Sequence, residues 1–223
     1  MKRAVSIMHS IAEMRGAIFS SKTQTLKRLI AEGLKKFPVD LIADQWMSNH
    51  WHMVLSPQLD GGMSAFIGWV TLTHTQRYHA HHGTVGYGHV YQGRYKSFPV
   101  QDDDHFHTVC RYMERNALTV NLVRRAEDYR WGSLSNWLGG ESPIELATWP
   151  IRRLPRWVAR VNEAFSEKEL KALRHSVTRS VPYGDEDWTK TTVKRLAWNQ
   201  RPDLAAGQRN LPGLSKRSLT PLI

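Results

Sequence analysis

Apolar residues recur at helical spacing in two stretches of the first half of the chain. The first stretch runs from Lys22 to Lys36, and the second opens at Gly61 and reaches about His82. In both, the apolar positions lie three and four residues apart, which is the spacing of a helix that buries one face. These positions are Leu26, Leu29, Ile30 and Leu34 in the first stretch, and Phe66, Trp69, Val70 and Thr73 in the second.

Three other stretches are predicted to be β-strands. They are Val39 to Met47, Asn49 to Leu55 and Val90 to Val100. The link between the first two is so short that we predict a tight hairpin, while Gly83 to Gly88 is predicted to be a loop. Residues 1–20 show only weak periodicity, so no element is predicted there.

The acidic run Asp102 to Asp104 is typical of a helix N-terminus, where carboxylates cap free backbone amides. We predict a helix from this run to about Leu118. Two further helices are predicted at Ser166 to Val177 and Asp185 to Trp198, before a loose end from Arg201 to Ile223. The helix that follows the acidic run has an apolar stripe formed by Phe106, Cys110, Met113 and Ala117. Helices and strands in this order predict an α+β fold, with helices packed on an antiparallel sheet.

The charge of the chain indicates a polyanionic partner. The formal net charge is +11 over 223 residues, which favours nucleic acid or an anionic surface. Residues 1–150 carry 16 Lys and Arg against 13 Asp and Glu, whereas residues 151–223 carry 15 against 7. The last third therefore resembles an electrostatic contact surface, although a basic tail that only aids solubility has a similar composition.

Several classes of protein are excluded by the composition. No apolar stretch approaches the roughly 20 residues that span a bilayer, and the first residues do not resemble a signal peptide. The single cysteine, Cys110, rules out an intramolecular disulfide and a cysteine-based zinc site, and it is expected to be a buried small hydrophobe. We expect a cytoplasmic, nucleoid-associated protein without a membrane partner.

His50 and His52 are candidate metal ligands. Side chains at i and i+2 of a strand point to the same face, so the two imidazoles would stand side by side, with Trp51 and Met53 on the opposite face. Such a pair can bind a metal ion, but on spacing alone the two residues could equally be polar positions on a strand with one solvent-exposed face.

Tyr112 and Asn116 lie four residues apart on a predicted helix, hence on one face. A tyrosine has a pKa of about 10 and becomes a nucleophile when a nearby cation stabilises the developing charge. Two imidazoles and the amide oxygen of Asn116 would leave coordination positions for phosphate oxygens, and this ligand set tolerates Mg²⁺ or Mn²⁺. Taken alone, Tyr112 could be an amphipathic residue at the edge of the core.

Five other histidines cluster around one helix end and the following loop. No cysteine or metalloprotease-type helix motif accompanies them, so a solvated, partly cationic surface facing nucleic acid is favoured over a second metal site. They are His74, His79, His81, His82 and His89.

Four motifs together resemble the HUH-type tyrosine transposases, in the branch of REP-associated tyrosine transposases. The similarity extends from about Lys22 to Trp198 and includes Pro182-Tyr-Gly-Asp185. The motifs are Met47-Ser-Asn-His-Trp-His-Met-Val-Leu55, Tyr91-Gln-Gly-Arg-Tyr-Lys-Ser97, Arg111-Tyr-Met-Glu-Arg-Asn116 and Tyr129-Arg-Trp-Gly-Ser133. The resemblance implies a ferredoxin- or RRM-like antiparallel sheet (the HUH fold), with a catalytic domain at 1–130 and a basic, partly helical extension at 131–223.

The same resemblance implies residue roles and a reaction. The family's metal histidines fall on His50 and His52, the third metal-side residue on Asn116 and the nucleophile on Tyr112. Its members use a divalent ion, Mg²⁺ or Mn²⁺, to cleave hairpin-bearing single-stranded DNA through a 5′-phosphotyrosine link that leaves a free 3′-OH. Such a protein would act as a monomer or homodimer. Candidate contacts to the DNA backbone, which are equally plausible as solvated surface cations, are Arg94, Lys96, Arg111 and Arg115.

The chain departs from the family pattern in two places. Met1 to Ser20 matches the family's opening strand poorly, so the central sheet is expected to lack an intact first strand. Ala117 replaces a frequent proline after the helix asparagine, which should extend the helix without displacing Asn116. The first departure favours an alternative function, a DNA-hairpin binding protein that lost the chemistry. An RNA-binding module is a weaker alternative, because it leaves the paired histidines and Tyr112 unexplained.

Overall fold

The computed structural model describes residues 5–11, 21–86, 88–91 and 95–196, and for residues 5–11, 21 and 22 it describes the main chain alone. Four strands form one antiparallel sheet: β1 (Val5–Ile11), β2 (Val39–Trp46), β3 (His50–Pro57) and β4 (Lys96–Val100). Their order across the sheet is β2-β3-β1-β4. The predicted α+β class and antiparallel sheet are confirmed.

The first strand is intact and central, so the expectation that the sheet lacks it is wrong. β1 pairs with β3 on one side and β4 on the other, and His9 lies opposite both His52 and Lys96 in the two registers. Val5, Ile7 and Ile11 occupy alternate positions of the sequence, which His9 shares. The alternation is short, and the segment forms a strand because both neighbouring strands supply backbone partners.

Helices α1 (Ser21–Lys36) and α2 (Gly62–His82) cover one face of the sheet. Their apolar stripes form one core cluster with alternate residues of β3, namely Trp51, Met53 and Leu55. The predicted stripe of α2 is partly wrong, because Ile67 and His74 are buried whereas Trp69 and Thr73 are half-buried. Within the described ranges, no helix combines the length and the apolar character needed to cross a membrane.

Helix α3 (Asp104–Glu114) packs on the opposite face, and α4 (Asn116–Thr119) follows it. Asp103 caps α3 through its side chain, as the acidic run predicted. The four apolar residues of the predicted stripe are all buried. The single predicted helix is divided at Arg115, but the helical path continues, because the Arg115 amide donates to the Arg111 carbonyl at 3.0 Å and the Val120 amide to the Asn116 carbonyl at 3.1 Å.

β4 is shorter than the predicted strand from Val90 to Val100. The segment before it is attached to α2 by aromatic side chains instead. The Tyr91 hydroxyl lies 2.7 Å from His74 Nδ1, and the Tyr95 hydroxyl lies 2.7 Å from the Ser64 hydroxyl. These tertiary contacts override the strand-like pattern of the sequence.

The described part of the C-terminal extension covers both edges of the sheet. It contains α5 (Ser133–Trp137), α6 (Trp157–Asn162), α7 (Glu167–Arg179) and α8 (Glu186–Arg195). Backbone bonds join Ala147 to Leu41 of β2 at 2.8 Å and Tyr183 to Pro99 of β4 at 2.8 Å. Covered edges cannot pair with other chains. The division at residue 130 stays a prediction, and the hydrogen bonds across it are extensive.

Gly33 of α1 packs tightly against α2. A Cβ atom there would lie 2.9 Å from Phe66 Cε2 and 3.0 Å from Trp69 Cζ3. We expect Gly33→Ala to lower the free energy of unfolding by about 1–2 kcal/mol, because overpacking outweighs the gain in helix propensity. Gly68 in α2 has open space around it, so Gly68→Ala should raise the same free energy by about 1 kcal/mol. Urea unfolding of both variants checks this, and equal midpoints would contradict it.

Candidate active site

The two histidines of β3 stand side by side on the face that packs toward α3. Their ring centroids are 4.9 Å apart and the rings are nearly perpendicular, at 88°. Val54, two residues beyond His52, belongs to the core cluster that contains Phe106 and Cys110 of α3. Because strand side chains alternate, His50 and His52 share that face, as predicted.

His50 is held in one orientation by its neighbour. Its Nδ1 lies 2.7 Å from Asn49 Oδ1, and since the amide oxygen can only accept, Nδ1 carries the hydrogen and Nε2 carries a lone pair. Burial lowers the pKa of His50 to about 4. The imidazole is therefore neutral at physiological pH, which is the state that can bind a metal ion.

Asn116 reaches the second histidine from the opposite side. Its amide Nδ2 donates to His52 Nε2 at 3.0 Å. A 180° rotation of the amide exchanges its nitrogen and oxygen and brings Oδ1 to the same place. The structure thus brings together the three predicted ligands, His50, His52 and Asn116.

Tyr112 lies one helical turn before Asn116, on α3. Its ring packs edge-on against Phe165, with ring centroids 6.1 Å apart. Burial raises the pKa of its hydroxyl, while Arg174 opposes this shift through its charge and a hydrogen bond. The predicted nucleophile is therefore half-covered by residues of the C-terminal extension.

Glu114 anchors the helix between Tyr112 and Asn116. Its carboxylate is fully buried and accepts from the Ser133 hydroxyl at 2.8 Å and from Trp157 Nε1 at 2.7 Å. Burial raises the pKa of Glu114, and these two hydrogen bonds lower it. The carboxylate thus joins α3 to α5 and α6, which fixes the position of the helix that carries Tyr112.

Two of the predicted DNA contacts make internal hydrogen bonds. Arg111 donates to the carbonyl oxygens of Glu163 and Ala164, at 3.2 and 2.9 Å, and Arg115 donates to those of residues 161 and 162. Both guanidinium groups therefore cap the end of α6. Lys96 begins β4 and is half-buried, and Arg94 lies outside the described residues. The role of all four as DNA contacts stays a prediction.

The histidine cluster is not uniformly solvated. His74 is buried, its Nδ1 pairs with the Tyr91 hydroxyl, and burial lowers its pKa to about 4. The prediction of a solvated cationic residue is wrong for His74, whereas His81, His82 and His89 are exposed. In the part of the chain that the structure describes, no group of three or more His, Cys, Asp or Glu side chains could hold a metal ion.

A family model described as "Transposase IS200 like" matches residues 5–116. This span is half of the 223 residues, and it runs from the start of β1 to Asn116. The chain belongs to the IS200-like transposase family. The family inferred from the sequence motifs is confirmed. Membership in this family also confirms the prediction that the chain is a DNA transposase.

The fold of this transposase is also that of a known structure. It matches "Structure of the REP associates tyrosine transposase bound to a REP hairpin" with a TM-score of 0.52 and 12% sequence identity. The match covers 67% of this chain and 88% of the other. No curated protein matches the chain significantly. At this identity the likeness establishes the fold, and the predicted fold is thereby confirmed.

Three residues around the site of the transposase were not predicted from the sequence. Asn49 precedes His50 in the chain, and that adjacency was the available signal. Glu114 lies inside the motif at residues 111–116, but its burial depends on partners far along the sequence. Arg174 carried no signal at all, because it is one of many cations in the C-terminal third.

Proposed function

We propose that this transposase cleaves single-stranded DNA by attack of the Tyr112 hydroxyl on a phosphodiester, beside a divalent metal ion. The observation that carries this proposal is the 3.0 Å contact between Asn116 Nδ2 and His52 Nε2, one helical turn from Tyr112. It joins the helix of the candidate nucleophile to the strand of the candidate ligands.

The three residues suit a divalent metal ion. His50 offers a neutral imidazole whose Nε2 lone pair is oriented by Asn49, His52 offers Nε2, and Asn116 offers its amide oxygen after rotation. Nitrogen ligands favour Mn²⁺ over Mg²⁺, and three protein ligands leave positions for phosphate oxygens. When bound, the ion would withdraw charge from the phosphate and make phosphorus easier to attack.

The reaction needs a simple set of bond changes. The Tyr112 oxygen forms a bond to phosphorus, the bond from phosphorus to the 3′ oxygen breaks, and the DNA remains attached through its 5′ phosphate. The tyrosine proton passes to water, and the departing 3′ oxygen takes a proton from water. A 3′-OH on another strand can reverse the reaction, which constitutes strand transfer.

The proposed substrate is single-stranded DNA that carries a hairpin. Support comes from the net charge of +11, which suits a phosphate backbone, and from the REP hairpin bound in the structural relative. The alternative, a hairpin-binding protein without chemistry, was motivated by an expected defect in the first strand. β1 occupies the centre of the sheet, so that motivation no longer holds.

The experiment uses two copies of one hairpin-bearing oligonucleotide, labelled at the 3′ or the 5′ end, with Mn²⁺ or EDTA. Because the protein should link to the 5′ phosphate, we expect a covalent adduct in denaturing gels that carries the 3′ label. The 5′-labelled strand should become a shorter free product that a polymerase can extend. A sequence with a scrambled stem serves as the control. Adduct carrying the 5′ label would refute the polarity, and no adduct with any metal would refute the enzyme.

A further inference from the structure

An open cleft is lined by residues of α5 and of the segment that leads to α6. Its volume is about 670 Å³, which falls in the range of about 300–1,000 Å³ that is typical of small-ligand sites. The lining includes Trp137 at the end of α5, and Trp149 and Arg153 of the segment before α6. The cleft lies outside the span of 5–116 that matches the family model, and it shares no residue with the candidate active site.

One guanidinium group contacts two tryptophan rings of the cleft. The Arg153 guanidinium carbon lies 4.3 Å from the centroid of the Trp137 ring and 4.1 Å from that of the Trp149 ring. Trp137 nevertheless keeps 49% of its surface exposed, and the next residue, Leu138, is exposed as well. A large exposed indole beside a cation is an arrangement on which proteins stack unpaired nucleobases.

Two buried N–H groups of the cleft residues have no acceptor. Within the described ranges, neither Trp149 Nε1 nor Arg153 Nε has a hydrogen-bond partner. Buried donors that stay unpaired cost free energy. A ligand with oxygen atoms, such as a base carbonyl or a phosphate, would accept from them after a small rotation of either side chain. An apolar ligand would leave both donors unpaired, so they favour a polar one.

The inner wall of the cleft is attached to the helix that carries Tyr112. The Trp149 ring packs edge-on against those of Phe106 of α3 and Trp157 of α6, with centroids 5.1 Å apart in both pairs. Trp157 in turn donates to the buried carboxylate of Glu114 on α3 at 2.7 Å. A cleft built on such a packed framework is preformed, and it holds a fixed position relative to the candidate nucleophile.

The surroundings of the cleft are basic. Residues 145–156 contain three arginines and one glutamate, and Arg152 and Arg156 are exposed. This excess of positive charge suits the phosphates on either side of a bound base. It disfavours a second copy of this chain as the occupant, because each copy carries a formal net charge of +11.

We propose that this cleft binds one unpaired nucleobase of the single-stranded DNA: the base stacks on the exposed part of Trp137, and Arg153 contacts oxygen atoms of the same nucleotide. The inference rests on the proposed function, which supplies the single strand. A base in the stem of a hairpin is already stacked and paired, so the bound base belongs to the unpaired flank or loop. The C-terminal extension would then take part in substrate recognition as well as cover the sheet edges.

The first test measures the affinity for a hairpin with single-stranded flanks by fluorescence anisotropy, in EDTA, where the proposed reaction lacks its metal ion. Trp137→Ala should bind about tenfold more weakly, a loss typical of removing an aromatic ring that stacks on a base. Trp137→Phe keeps a ring and should lie between this variant and wild type. Leu72→Ala changes an exposed apolar residue of α2 and should bind like wild type. Equal affinities for Trp137→Ala and wild type would overturn the proposal.

A second test identifies the base. In a series of oligonucleotides that each lack one unpaired base, one position should reduce the affinity of wild type about tenfold. Trp137→Ala should lose nothing further at that position, because both changes remove the same contact. If the losses from Trp137→Ala and from every missing base were simply additive, the ring would not stack on a base and the proposal would be wrong.

Two other results separate this proposal from its alternatives. A wild-type protein that sediments as a dimer, and as a monomer after Trp137→Ala, would overturn the proposal in favour of a second copy bound at the cleft. Absence of the covalent adduct with Mn²⁺ would refute the proposed cleavage. The affinities measured in EDTA do not depend on cleavage, so they still decide whether the cleft binds a base.

Discussion

Tyr112→Phe is expected to reduce the covalent protein–DNA adduct by at least about a thousandfold, which is typical for loss of a nucleophile. The phenylalanine ring preserves the edge-on contact with Phe165 and removes only the oxygen that attacks. The fold and most of the affinity for hairpin DNA should therefore remain. The measurement is a denaturing gel for the adduct, with fluorescence anisotropy for binding.

Tyr183 provides a matched control for this variant. Its ring centroid lies 5.1 Å from that of His105 at the start of α3, so it is a second tyrosine packed against the same helix. Tyr183→Phe removes one hydroxyl without touching the candidate nucleophile, and the adduct should form at the normal rate. If Tyr112→Phe still gave adduct, the attack would belong to another residue, and the role proposed for Tyr112 would fail.

Glu114→Ala should destabilise the protein more than Gly33→Ala does. It removes a fully buried carboxylate that accepts two hydrogen bonds, from Ser133 and Trp157. Both donors would be left buried without a partner beside a new cavity, and Arg153 would lose a countercharge. We expect the free energy of unfolding to fall by about 3–5 kcal/mol.

Two further variants separate the hydrogen bonds from the cavity. Glu114→Gln fills the same space but keeps one acceptor oxygen, so it should cost about 1–2 kcal/mol. Glu163→Gln changes an exposed glutamate and should cost less than about 0.5 kcal/mol. Urea unfolding followed by tryptophan fluorescence gives all three values. A cost below about 1 kcal/mol for Glu114→Ala would show that the carboxylate does not hold α3 in place.

Periodic elements of this fold could be predicted from the sequence because their signals are local. α1, α2, β2 and β3 follow from spacing alone, and α3 follows from its acidic cap and its apolar stripe. β1 could not be predicted with the same success, since it owes its place to β3 and β4 and not to a strong pattern of its own. Lys27 is 1% exposed, and its positive charge opposes the rise that burial causes in the pKa of Asp44. No helical pattern in the sequence indicates that these two residues interact.

The site shows the same division between local and long-range information. His50 and His52 share a face because they are two residues apart on a strand, and Asn116 lies near them because one helix packs on that strand. The contacts of Arg111 and Arg115 with the end of α6 depend on residues about fifty positions later. A sequence of one chain identifies such arginines as cations, but it does not indicate which oxygen atoms they contact.

The position of β1 affects how the chain can fold during synthesis. β1 leaves the ribosome well before its two partner strands, since Ile7 lies opposite Val54 in one register and Phe98 in the other. Until β4 has emerged, one edge of the growing sheet is open to strands of other molecules. Removal of the first eleven residues would take away the middle of the sheet, and β3 and β4 would then have no common neighbour.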